Sequence, residues 1–236
     1  EVEGDLYEAL DHFLGQMDKF SVNQTRLKKL LHPSNSRTNQ QMEVSSHYDI
    51  GNDFYRLWLD ETMNYSCGYF KTDKDTLYEA QVNKTDYILK KLALEKGMDL
   101  LDVGCGWGFL LIRAAKEYGV KGTGITLSRE QYEGFTKRIE EEGLGGLVTV
   151  KLMDYRDLPQ SGMKFDRIVS VGMLEHVGRE NYGRFMDCMA ETARGIPSAL
   201  YQQPEGTCRG PLDKKIYFSR RRHSQPKGNH IPDGGP

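Results

Sequence analysis

Leu101-Asp102-Val103-Gly104-Cys105-Gly106-Trp107-Gly108 decides the fold of this chain. The apolar run 99–103 reads as a strand, and it enters a turn with glycine at every second position. Residues 109–118 then read as a helix. A Cβ at Gly104, Gly106 or Gly108 would hold a ligand away from the backbone or forbid the dihedrals of the turn. The spacing is not the GxGxxG that seats a pyrophosphate on a helix N-terminus. Asp102 stands two positions before the first glycine, and a DxGxGxG order favours the amino-acid and ribose portion of S-adenosylmethionine. Alone, three alternating glycines are a weak signal, and a bare tight turn is the plain alternative.

Outward from this turn the pattern is β-α-β-α-β-β-α. Residues 122–127 read as a second strand, 128–142 as a helix, 148–152 and 165–171 as strands, and 181–191 as a helix. Alternating strands and helices predict an α/β, Rossmann-like, doubly wound and mostly parallel sheet. Upstream, residues 77–94 have helical periodicity, with Gly97 as the stop, and aromatics crowd between Asn52 and Trp58. Leu6, Leu10, Phe13, Met17 and Phe20 form one face of an N-terminal helix, packed on the main domain or lying on a membrane surface. Residues 32–41 are rich in turn formers and read as a linker.

The second strand ends Thr126-Leu127-Ser128, without the acid that often holds ribose hydroxyls at this place. Thr126 and Gln131 can replace it through neutral hydrogen bonds. After the third strand, Asp154, Tyr155 and Arg156 supply a carboxylate and an aromatic where an adenine ring would be gripped.

The 236 residues, 38% of them hydrophobic, suffice for one α/β core with appendages. No run approaches the roughly 20 apolar residues of a membrane span, and no cleavable leader is visible, so a soluble cytoplasmic protein is expected. Four cysteines lack ligand or CxxC spacing and are expected to be free thiols, with no metal site. A net charge of −2 gives no reason to bind nucleic acid, although basic residues gather in the last forty or so positions. Glu1 in place of Met reads as a fragment or processed end.

Five segments together resemble the cyclopropane-fatty-acyl-phospholipid synthase family, a class I S-adenosylmethionine-dependent methyltransferase group. They are Ser46 to Tyr55 (SHYDIGNDFY), Met63 to Phe70 (MNYSCGYF), the glycine turn with Trp107, Thr126-Leu127-Ser128, and Glu175-His176-Val177-Gly178. The likeness covers roughly residues 5–192. It implies that Tyr65 and Ser66 contact the methionine end of the cofactor. It also implies that Gly104, Gly106, Gly108, Thr126, Leu127, Ser128, Gln131, Tyr155 and Arg156 line the remainder. The implied reaction moves the sulfonium methyl to a cis double bond of a phospholipid acyl chain; the resulting carbocation loses a proton as the cyclopropane closes. The implied base is a bound bicarbonate ion, held by the backbone at Cys67, by Glu175, and by a histidine and a tyrosine further on. A phospholipid membrane surface at the inner face is the implied partner, and a homodimer is the implied assembly.

The likeness stops after Thr192, before the fifth strand and its histidine. Residues 1–45 are therefore read as a helical extension and linker, 46–192 as the cofactor-binding domain, and 193–236 as a basic, disordered tail. Two explanations of the tail compete. One is a basic interaction appendage. The other is the family's own sequence translated in a displaced frame, because permitted codons read from the second base of Gly210's codon yield Asp-Pro-Trp-Ile-Lys-Lys-Tyr-Ile-Phe-Pro-Gly-Gly. The same shift from Ala193 yields Pro-Gly-Ala-Phe-Leu-Leu-His-Tyr. A sheet ending after about its fourth strand would expose an apolar edge, so marginal stability and little cyclopropanation are expected of the chain. Two rival functions are a small-molecule methyltransferase and a non-catalytic binding protein with a basic tail.

Overall fold

A computed structural model describes residues 51–178, 181–195, 200–201 and 216–217. The N-terminal stripe, the linker, the boundary at residues 45 and 46 and most of the tail lie outside the described residues.

Helix α1 (Asn52–Arg56) gathers the first aromatics, and helix α2 (Leu77–Leu92) follows. A capping box starts α2: Thr76 Oγ1 accepts from Glu79 N–H at 3.2 Å, and Glu79 Oε2 accepts from Thr76 N–H at 2.7 Å. Its end falls at Ala93, in the left-handed region at φ 45°, ahead of the glycine expected to stop it. Strand β1 (Asp99–Val103), helix α3 (Phe109–Tyr118), strand β2 (Lys121–Thr126), helix α4 (Arg129–Glu141) and strand β3 (Val148–Leu152) match the expected elements within a residue or two. Ser128 caps α4, its hydroxyl accepting from Gln131 N–H.

Two 3₁₀ turns (Tyr155–Asp157 and Pro159–Ser161) lead to strand β4 (Arg167–Val169). This strand is shorter than the run 165–171. Side chains take over the pairing at both ends: Asp166 Oδ2 accepts from Asp99 N–H at 2.8 Å, and Ser170 Oγ donates to the Val103 carbonyl at 2.8 Å. Helices α5 (Leu174–Val177) and α6 (Tyr182–Thr192) complete the domain, and Phe165 makes an isolated parallel bridge to Ala193. Strands β5 (Leu200–Tyr201) and β6 (Ile216–Tyr217) pair antiparallel with each other.

The main sheet is parallel throughout, in the order β3-β2-β1-β4. The chain builds outward from β1 to β3, then crosses back to place β4 on the other side of β1. That reversal opens a crevice beyond the carboxyl ends of β1 and β4, where open α/β sheets bind ligands. Alternation along β1 divides the core in two. Leu100 packs with Leu89, Leu111 and Phe135 from α2, α3 and α4, whereas Leu101 and Val103 pack with Phe185 and Met189 from α6 on the opposite face. Helices therefore cover both faces, as expected for a doubly wound, Rossmann-like sheet.

Candidate functional site

The crevice is a cavity walled by five groups of residues. Asp102, Gly104, Cys105, Gly106 and Trp107 come from the glycine turn, and Thr126, Leu127 and Gln131 from the end of β2 and the start of α4. Met153, Asp154 and Tyr155 follow β3, and Gly172, Met173, His176 and Val177 follow β4. Met63, Asn64, Tyr65 and Ser66, with Lys84, Thr85 and Ile88 of α2, close the remaining side.

Each glycine of the turn has its own reason. Gly104 and Gly106 both have positive φ, at 78° and 54°. A Cβ on Gly104 would meet Met173 Cγ at 2.8 Å, whereas one on Gly106 would meet nothing within 4 Å. Gly106 therefore leaves open room beside backbone that faces the cavity. Gly108 is not on the wall. It caps α3 at φ 82°, and a Cβ there would lie 1.9 Å from Phe135 Cε2, so this glycine serves helix packing.

Asp102 is buried, and its Oδ1 has no hydrogen-bond partner. Burial pushes its carboxyl up to about 7. Asn64 Nδ2, also buried, is likewise unpartnered. Lys84 sits inside the buried face of α2, donating from Nζ to Ser66 Oγ at 2.6 Å and to the Ser66 carbonyl at 3.4 Å. Burial lowers it to about 7, against the pull of Asp60. Gln81 Nε2 also donates to the Ser66 carbonyl, at 2.8 Å. Burial likewise pushes the Cys105 thiol well up, aided by the Asp102 charge.

Thr126 and Gln131 are brought together as expected, Thr126 Oγ1 donating to Gln131 Oε1 at 2.7 Å. With Oε1 engaged, the Gln131 amide donors are oriented by that bond. Ser128 belongs to the cap of α4 and not to the wall. Arg156 is not on the wall either; its guanidinium grips Asp154 through Nε at 2.8 Å and through a second nitrogen at 2.5 Å. Arg156 thus fixes the carboxylate, and Asp154 and Tyr155 face the cavity. Tyr155 packs edge-on against Phe185 with its buried hydroxyl unpartnered.

Cys67 is disulfide-bonded, against the free thiol expected, while Cys105 and Cys188 are free. No sequence spacing announces such a bond, because pairing depends on proximity in space. Cys67 is not on the cavity wall. Glu175 lies in α5, and its side chain is outside the described residues.

Sequence reasoning missed Lys84 and Asn64 as individual residues of the cavity, whereas Tyr65 was expected there and is found there. Lys84 has a visible signal: it stands at helical spacing between Ala80 and Ile88, both buried, so a lysine interrupts an apolar stripe. The aromatics between Asn52 and Trp58 are visible as a crowd in the sequence, but their joining with Tyr65 and Trp107 into one wall is not. Tyr55 packs against Trp107 at 5.1 Å and Tyr65 at 5.6 Å, and Trp58 against Tyr65 at 5.2 Å. Asn52 latches this wall to the sheet, accepting from Trp107 Nε1 at 2.5 Å and donating to the Glu130 carbonyl at 3.1 Å. Leu57, Trp58 and Tyr65 remain 82%, 45% and 51% exposed.

The donor and acceptor set fits S-adenosylmethionine. The unpartnered Asp102 oxygen can accept from an ammonium or hydroxyl, the Asn64 amide can donate to a carboxylate, and Gly106 leaves backbone accessible. Among the described residues no cluster of His, Cys, Asp and Glu is arranged to hold a metal ion.

Residues 35–196 match the family described as mycolic acid cyclopropane synthetase. Over 181 residues the chain is 45% identical to a probable fatty acid methyltransferase of Pseudomonas putida, covering 77% of this chain and 45% of that protein. Over 139 residues it is 50% identical to the cyclopropane-fatty-acyl-phospholipid synthase of Escherichia coli strain K12, covering 59% and 34%. The crystal structure of mycolic acid cyclopropane synthase CmaA1 complexed with SAH and CTAB superposes with a TM-score of 0.64 at 40% identity, covering 68% of this chain and 55% of that one. The chain spans about a third to a half of the length of the curated relatives it matches.

Proposed function

The chain belongs to the mycolic acid cyclopropane synthetase family, and on that premise we propose that it carries the cofactor half of an S-adenosylmethionine-dependent methyl transfer to an unsaturated lipid chain. The observation that carries this reading is the unpartnered Asp102 carboxyl set against the Gly104–Gly106 backbone in a cavity that opens beside aromatic residues. When bound, S-adenosylmethionine supplies an electrophilic methyl on a sulfonium, and the acceptor double bond becomes a cyclopropane after loss of a proton.

The chain's own residues divide the work. Asp102 and Asn64 offer the acceptor and the donor for the polar end of the cofactor, and Gly104 and Gly106 admit it to the backbone. Thr126 and Gln131 offer hydrogen bonds to the ribose. Asp154, locked by Arg156, and Tyr155 border the adenine. Tyr65 and Trp107, backed by Tyr55, line the cavity and can lie against a developing cation. By resemblance to the family alone, a bicarbonate ion at the Cys67 backbone and Glu175 is the proposed base.

A phospholipid chain presented by a membrane surface is the proposed acceptor. The exposed Leu57, Trp58 and Tyr65 support contact with lipid, and among the described residues no helix is long and apolar enough to cross a membrane. The test is incubation with S-adenosylmethionine and vesicles of an unsaturated phosphatidylethanolamine, with acyl chains analysed by mass spectrometry. Chains heavier by one methylene support the reading. Binding of the cofactor together with methylation of a small amine, and no lipid product, would replace it with a small-molecule methyltransferase.

A further inference from the structure

Asp102 and Lys84 are buried groups of opposite charge type on the wall of one cavity. Among the described residues neither has an ion-pair partner within bonding distance. Lys84 spends its hydrogen bonds on Ser66, a neutral residue, and Asp102 Oδ1 spends none. A buried ion without a counter-ion is expensive, and proteins keep such groups where a ligand completes them.

Contacts along the cavity wall connect the segments that carry the two groups. Ser66, held by Lys84, lies 3.5 Å from where a Cβ on Gly172 would stand, and the next residue, Met173, packs at 2.8 Å from the corresponding point on Gly104. Gly104 is two residues beyond Asp102. The segment carrying Ser66 thus adjoins the end of β4, the end of β4 adjoins the glycine turn, and Asp102, Lys84 and the unpartnered Asn64 amide line the one cavity among them.

We propose that Lys84 meets the carboxylate of the cofactor's α-amino-acid zwitterion, whose ammonium is the expected partner of Asp102, and so makes the site discriminate carboxylated from decarboxylated forms of the cofactor. The inference rests on the cofactor reading above and assigns the carboxylate its partner. The displaced titration of both groups is consistent with this: burial lowers Lys84 and raises Asp102, each to about 7, and a bound zwitterion favours the charged form of each. A lysine that served only to hold Ser66 would do so equally well for a ligand without a carboxylate.

The test is calorimetric binding of S-adenosylhomocysteine and of its decarboxylated amine to the whole chain and to Lys84→Met. The unaltered chain is expected to bind the carboxylated ligand about tenfold or more tightly, the worth of one charge-assisted hydrogen bond. Lys84→Met is expected to weaken S-adenosylhomocysteine by about the same factor while the amine stays within roughly twofold, so the discrimination collapses. Lys84→Gln provides a second variant should the first fail to fold, and retained binding of the amine reports an intact site. Equal affinity for both ligands in the unaltered chain, or equal weakening of both by the variants, overturns the inference and leaves Lys84 a structural anchor for Ser66. Binding of neither ligand by the folded, unaltered chain overturns the cofactor reading itself, a separate outcome.

Discussion

Replacing Asp102 with asparagine removes a charge that the fold does not want and the ligand does. The carboxyl's ordinary value is 3.8, and burial raises it to about 7 in the folded chain. The unfolded chain therefore releases this proton first as pH rises, and folded-state stability falls through the interval between those two values. At about 1.4 kcal/mol per pH unit, the loss across the whole interval is of the order of 4 kcal/mol, and roughly 2–3 kcal/mol of it falls between pH 5 and pH 8. Asp102→Asn abolishes that slope. The asparagine amide brings its own buried polar atoms, at about 1–3 kcal/mol, so the variant is less stable than the unaltered chain at pH 5 and equal or more stable at pH 8. Urea unfolding of both proteins at the two pH values, without ligand, measures the crossing. Parallel stability curves for the two proteins would refute the reasoning, because Asp102 would then not be the group whose burial costs the fold. Binding of S-adenosylhomocysteine should weaken in Asp102→Asn at both pH values.

Gly108→Ala should cost about 3–5 kcal/mol, combining a left-handed backbone with a contact inside the Phe135 ring, and Phe135→Leu in the same chain should recover part of that loss; thermal melts of the single and double variants decide it. Asn52→Ala should cost about 1–2 kcal/mol by breaking the Trp107 and Glu130 bonds, with a shift of tryptophan emission that Asn83→Ala, a half-buried residue of α2 bonded to Asp75, does not produce. We propose that the coding sequence past Ala193 is displaced by one base from the family's frame; sequencing the DNA across the codons for Met189 to Pro236 should find an alternative frame encoding Pro-Gly-Ala-Phe-Leu-Leu-His-Tyr, and a frame without it removes that explanation.

Local chemistry carried much of this fold in its sequence. The DxGxGxG turn needs left-handed backbone at Gly104, Gly106 and Gly108, and only glycine meets that need without strain. Thr76 with Glu79, and Ser128 before Arg129, mark helix starts because a cap is satisfied by neighbours three residues away. The side-chain period of two along a strand likewise puts neighbours such as Leu100 and Leu101 on opposite faces of the sheet.

What folding alone decided depends on atoms distant along the chain. Gly108 and Ser128 sit in cofactor-like motifs, yet one accommodates Phe135 and the other caps a helix, and the motif does not distinguish a wall residue from its support. Arg156 turns away to lock Asp154, a choice made by burial and pairing rather than by residue type. Lys84 becomes a site residue only because α2 packs its buried face against the loop carrying Ser66. Sequence by itself determined the strand–glycine turn–helix and hence the place of the crevice, because those requirements are local and steric. Tertiary structure alone decided which charges face that crevice without partners, because desolvation and pairing are properties of the assembled core and not of any stretch of chain.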